Sequence, residues 1–155
     1  MQPLREYTAD SFLAGWLLLA ILSVVAACGD PVASWNLEDK ENIRHFFASQ
    51  MADLDAVRLS NAGASYSIMS EAERNEFVRL VRVALSEAKL LRDEVLAKAN
   101  RDLPKQFRTL YHQSLELRLR NLELGDITAE IKGSALHDQW VEWFNANKSV
   151  IRVPK

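Results

Sequence analysis

The chain has 155 residues, 48% of them hydrophobic and 26% charged, with a formal net charge of −2. That mixture excludes wholesale disorder and supports one self-sufficient core, while near-neutrality excludes the basic excess of a nucleic-acid binder. A single cysteine excludes a disulfide framework or a Cys-based zinc site, and only five glycines and four prolines favour helices over a turn-rich β architecture.

Met1 to Asp10 is a short polar lead in which Arg5 is set against Glu6 and Asp10. Seventeen uncharged residues follow, Ser11 to Ala27. The run is marginal for spanning a bilayer, which takes about 20 residues, and slightly long for the core of a secretory signal, usually about 7–15. A soluble helix with an apolar surface all round is the poorest alternative.

The run ends in Val25-Ala26-Ala27-Cys28. This stretch resembles the lipobox of bacterial lipoproteins: an aliphatic residue, two small residues, then cysteine. The resemblance covers the first 29 residues or so and implies a diacylglyceryl group on the Cys28 thiol, cleavage before Cys28, and acylation of the new amino terminus. Several acyl chains make a stable anchor where one does not. The alternative is an uncleaved transmembrane anchor. Either way Arg5 stays in the cytoplasm and the acidic flank of Asp30, Glu38, Asp39 and Glu41 lies in the periplasm, as the charge bias of membrane segments favours. Gly29 stands where an aspartate would retain an enterobacterial lipoprotein in the inner membrane, so the outer membrane is slightly favoured. The expected organisation is a signal or anchor over 1–27, a tether over 28–36, a helical domain over 37–148 and an extended tail over 149–155.

Within the domain, Ile43, Phe47, Gln50, Leu54 and Val57 recur at helical spacing and predict a first helix from about Leu37 to Leu59, with Phe46 and Met51 widening the stripe. Ser60 to Ser67 reads as a loop. Ser70 and Glu73 have the spacing of a capping box and start a second helix, whose Phe77, Val81, Ala84, Ala88, Leu91 and Val95 keep heptad spacing. Asn100 to Pro104 ends it and opens a third helix, stopped by Gly125 after Leu124. A loop from Asp126 to Gly133 then leads to a fourth helix capped by Ser134 and carrying Leu136, Trp140, Trp143 and Phe144. The tail after Asn147 is expected to pack along the bundle or to join a partner's sheet edge. Four helices with short loops predict an all-α, up-and-down bundle.

Charge is unevenly spread. From Asp30 to Glu76 there are nine acids and four bases, and from Arg79 to Arg120 ten bases and five acids. Two complementary surfaces inside one bundle account for this, with a basic face for an anionic lipid, glycan or nucleic acid as the functional alternative, the last disfavoured by the near-neutral overall charge. Ser114, Arg118 and Asn121 fall within the apolar stripe of the third helix. Arg118 therefore needs a carboxylate or carbonyl partner: it snorkels to the bundle end or pairs with an acid from the first helix, or else Tyr111, Ser114, Arg118 and Asn121 form a polar pocket for an anionic ligand or a partner's carboxylate. His45 has Glu41 one turn earlier, and His112 has Glu116 one turn later, so that each pair offers a weak metal clamp; with His137, all three read first as solvated histidines. Neither Glu-x-x-His nor His-Glu-x-x-His occurs, and there is no phosphate loop or nucleophile elbow, so no catalytic residue, metal site or cofactor is expected beyond the acyl groups of Cys28. Trp140, Trp143 and Phe144 read as core, and as a partner-binding face wherever they are exposed.

The expected function is a membrane-anchored periplasmic accessory protein that works through contact with a protein partner in the envelope. It is analogous to the pilotins in size, anchor and helicity only. The alternatives are a bitopic subunit of a larger membrane complex and a ligand- or metal-sensing bundle.

Overall fold

The computed structural model describes residues 35–61 and 69–154; the hydrophobic run, Cys28 and most of the expected tether and first loop lie outside them. The described chain is all-helical: α1 (Leu37–Asn61), α2 (Glu71–Leu90), α3 (Asp93–Ala99), α4 (Leu103–Gln106), a π-helical turn (Phe107–His112), α5 (Gln113–Leu124), α6 (Ile127–Asn147) and a final 3₁₀ turn (Lys148–Val150). From α4 to α5 the backbone runs on without a break, so these three segments make one rod.

Asn36 and Asp39 start α1 reciprocally: the Asn36 side chain accepts the Asp39 N–H at 2.8 Å, and the Asp39 carboxylate accepts the Asn36 N–H at 3.3 Å. Ser70 and Glu73 form the expected capping box at the start of α2. The contacts that follow fix the helix directions. Asn42, His45 and Ser49 meet Leu90, Glu87 and Ala84 in turn, so α1 and α2 are antiparallel. Ser49 and Asp53 meet Tyr111 and Arg118, so the rod runs parallel to α1. α6 returns antiparallel to both, with Glu130 beside Asn121 and Trp140 beside Phe107.

The main core lies where Phe46, Phe107, Tyr111, Trp140 and Phe144 pack together, with ring centroids from 5.1 to 6.4 Å apart. A smaller cluster of Ala56, Met69, Phe77, Leu80 and Val81 fills the opposite end. Charge segregation along the sequence becomes pairing in space: Arg92 and Lys98 both bind Asp39, and Arg92 also reaches Glu38.

Four expectations need correction. The heptad from Phe77 to Val95 stays buried throughout but is not one helix, because the backbone becomes extended at Leu91 and Arg92. The freed groups are satisfied from elsewhere in the fold. Asn42 donates to the Leu90 carbonyl at 2.9 Å and accepts the Arg92 N–H at 3.0 Å, while the Arg108 guanidinium donates to the carbonyls of Ala88 and Leu91. The fourth helix begins at Ile127 rather than after Ser134, capped by Asp126, whose carboxylate accepts the Ala129 N–H at 3.0 Å. The first helix runs two residues beyond Leu59, to Asn61. The tail becomes extended only from Ile151, after the 3₁₀ turn over Lys148–Val150, rather than from Ser149. Gly125 stops α5 in the left-handed conformation (φ 67°), and the tail lies along the bundle, with Ile151 buried and the Arg152 N–H bonded to the Ala99 carbonyl.

Candidate functional site

The most unusual chemistry of the described residues is a buried ionic cluster that joins three helices. Asp53 of α1 is almost fully buried. One of its carboxylate oxygens takes Nη1 of Arg118 from α5 at 2.5 Å, and the other takes Nε2 of His137 from α6 at 3.0 Å. Burial pushes the Asp53 carboxyl up, but the charges of Arg118 and His137 and the hydrogen bonds from both outweigh it. The net effect holds the carboxyl far below its ordinary value of 3.8. An ionised carboxylate only accepts, so Nε2 of His137 carries the proton in this contact.

Local structure explains how three helices converge here. The π turn over Phe107–His112 interrupts the regular register just before Ser114 and Arg118. Gly133 then lets α6 approach α5 closely: a Cβ at that position would lie 3.2 Å from Leu117 Cβ, 3.3 Å from the Ser114 carbonyl and 3.4 Å from the Arg118 nitrogen. His137 lies one turn beyond Gly133 on the same face, which brings its ring over Asp53.

A second polar link runs beside the first. Ser49 donates to the Ala84 carbonyl at 2.7 Å, and the Tyr111 hydroxyl donates to the Ser49 carbonyl at 3.0 Å. Burial, reinforced by the nearby Asp53 charge, pushes the Tyr111 phenol well above 10 and keeps it a neutral donor. The whole arrangement is a clamp. Arg118 Nη1, His137 Nε2, the Ser49 hydroxyl and the Tyr111 hydroxyl each meet a protein acceptor, and the Asp53 carboxylate ties α1 to α5 and α6.

The residues singled out in the sequence are distributed as follows. Tyr111 and Ser114 are buried, with the Ser114 hydroxyl turned back to the Tyr111 carbonyl at 2.7 Å. Arg118 pairs with an acid from the first helix, Asp53, one of the alternatives its position left open. Asn121 lies further along, bonded to Glu130 at 2.9 Å on the exposed side. The structure thus brings Tyr111, Ser114 and Arg118 near one another but sends Asn121 elsewhere, and it ties each of the four to a protein partner. Trp140 and Phe144 are core, while Trp143 is half-buried and stacks on Trp140 at 5.8 Å.

Among the histidines, His45, expected to be solvated, meets Glu87 across the helix interface at 2.6 Å. His112 lies 3.8 Å from Glu116, and burial lowers its pKa. His137, expected to be solvated, is drawn into the ionic cluster. Sequence inspection also missed Asp53. The available signal was its position three residues after Gln50, on the edge of the apolar stripe, where a charge needs a partner. Among the described residues, no group of three or more His, Cys, Asp or Glu is placed to hold a metal ion. Comparison with protein-family models, with curated proteins and with solved structures found no match for this chain.

Proposed function

We propose that the chain is a membrane-anchored accessory protein of the bacterial envelope, an up-and-down helical bundle held on the periplasmic side and acting through contact with a protein partner. The observation that carries this is Val25-Ala26-Ala27-Cys28 at the end of an uncharged run, placed directly ahead of a helical domain. Among the described residues no helix is long and apolar enough to cross a membrane, and the uncharged run Ser11–Ala27 lies outside them.

A contact role is supported by the turn between α5 and α6. Leu124, Ile127 and Ile131 are about 70% exposed, at 74%, 70% and 68%. Ile127 and Ile131 lie one turn apart on one helix face, and Leu124 adjoins them across Gly125. Clustered exposure of large apolar side chains is the usual mark of an interaction site.

The test is direct. Intact-mass measurement of the purified protein is expected to show a chain beginning at an acylated Cys28, and Cys28→Ala is expected to leave the membrane fraction or accumulate unprocessed. A chain retaining Met1 with an unchanged membrane fraction in Cys28→Ala would favour the bitopic anchor and exclude lipidation.

A further inference from the structure

α6 buries one face against the bundle and leaves the other bare. Ala129, Gly133, Trp140 and Phe144 lie on its inner side, whereas Ile127, Ile131, Ser134, Ala135, Asp138 and Glu142 are all exposed. At about 100° per residue these six fall within roughly 100° of one another, opposite the buried four. They make a row roughly 22 Å long on the outer face of the helix.

The row changes character along its length. Its first turn is apolar, with Ile127 and Ile131 at 70% and 68% exposed. Ser134 and Ala135 keep the middle low, where a neighbouring helix can approach. Asp138 and Glu142, one turn apart, make the far end acidic, and neither forms an ion pair among the described residues. The acids around the apolar end are differently placed: Glu123, Asp126 and Glu130 are met by Arg82, Arg120 and Asn121 of the bundle itself. Lys132, the only Lys or Arg of α6, lies six residues before Asp138 and about a third of a turn round the helix from it.

A second copy of the chain does not match this row. Two α6 helices paired antiparallel about a two-fold axis would set Ile127 and Ile131 of one against Glu142 and Asp138 of the other. Paired parallel, they would set like acids side by side.

We infer that the outer face of α6 docks an amphipathic helix of a protein partner. The apolar stripe of that helix covers Ile127 and Ile131, and its Lys or Arg side chains, about three turns further along, meet Asp138 and Glu142. Apolar burial supplies the affinity, and the charge match sets the direction of the partner and selects it. The inference rests on the contact role proposed above and names the partner's chemistry.

The test is titration of the purified full-length chain with two synthetic helical peptides that share one leucine stripe, the first ending in lysines and the second in glutamates. The lysine peptide is expected to bind at least tenfold more tightly, and to slow hydrogen exchange within residues 124–142. Combined Asp138→Lys and Glu142→Lys is expected to reverse the preference, and Ile131→Asp to weaken both peptides tenfold or more. All three positions are exposed, and circular dichroism melts check that the variants stay folded. Equal binding of the two peptides, lost in Ile131→Asp, would overturn the basic partner and leave the contact role standing. Binding of neither peptide, or protection elsewhere on the bundle, would overturn both, while the processing of Cys28 reports on the anchor separately. A concentration-dependent dimer dispersed by Ile131→Asp would give the face to a second copy, and protection of residues 124–142 by phosphatidylglycerol vesicles would give it to lipid; either result overturns the inference.

Discussion

Arg118 stands on a core-facing line of α5, and Asp53 makes that position tolerable. The guanidinium and the His137 ring occupy one carboxylate oxygen each, so removing either partner leaves a buried charge short of a hydrogen bond. Arg118→Leu is therefore expected to cost about 3 kcal/mol, the lower end of what breaking a buried pair costs, because the arginine side chain is still 20% exposed. Urea unfolding followed by circular dichroism measures this; a change below a few tenths of a kcal/mol would show that the cluster contributes little. The same carboxylate sets a pH dependence. Its pKa in the folded chain lies well below the ordinary 3.8, so in acid the unfolded chain binds the proton first. Stability from this group is fully present above about pH 5 and declines as pH falls through 3.8 toward the folded value. Asp53→Asn is expected to be less stable at neutral pH and to show a shallower acid decline. Equal slopes for the two chains would place the acid sensitivity elsewhere.

Helix boundaries and close approaches follow the same logic one level up. Gly133 lies mid-helix, where alanine is ordinarily preferred by about 1 kcal/mol. Here an added methyl would press on Leu117 Cβ and on backbone atoms of Ser114 and Arg118 that cannot swing aside. Gly133→Ala is expected to destabilise, whereas Ser134→Ala, exposed on the next position, is expected to be neutral or slightly stabilising. Thermal melts of the two variants check this, and a stabilised Gly133→Ala would mean that α6 shifts away from α5 without loss. Arg108→Gln should also cost about 1–3 kcal/mol, since the α2 carbonyls that it caps lose their donor. These positions also mark where the sequence was legible. Ser70 and Gly125 act through bonds to near neighbours and Pro104 through its fixed backbone and missing N–H, so all three announced their boundaries. The break at Leu91–Arg92 was hidden, because Asn42 and Arg108 supply its partners from distant positions while the heptad runs on unbroken. Ser134 read as the helix cap, yet Asp126, placed in the loop, caps α6 through the Ala129 N–H. Arg118 advertised the need for a partner, but neither Asp53 nor His137 could be paired with it before the helices were placed.

At the scale of the whole molecule, the two ends of the bundle are built unequally. The end where α1 begins holds the aromatic cluster and the ion pairs of Arg92, Lys98 and Arg108. The other end relies on Ala56, Met69, Phe77, Leu80 and Val81, beside exposed Leu124, Ile127 and Ile131. Regions with fewer buried contacts open at lower free energy than the global transition, so native-state hydrogen exchange should fall into two classes. The slow class is expected in the middle of the rod and the C-terminal half of α2; the faster class is expected at the start of α2 and around the α5–α6 turn. Substitution then separates the two ends. Phe107→Ala removes a fully buried ring from the main cluster and is expected to cost about 3–5 kcal/mol globally, speeding exchange throughout. Phe77→Ala is expected to speed exchange at its own end well before the aromatic cluster responds. If Phe77→Ala instead raised exchange equally along every helix, the bundle would open as a single cooperative unit, and the smaller cluster would be part of the main core rather than an end that loosens on its own.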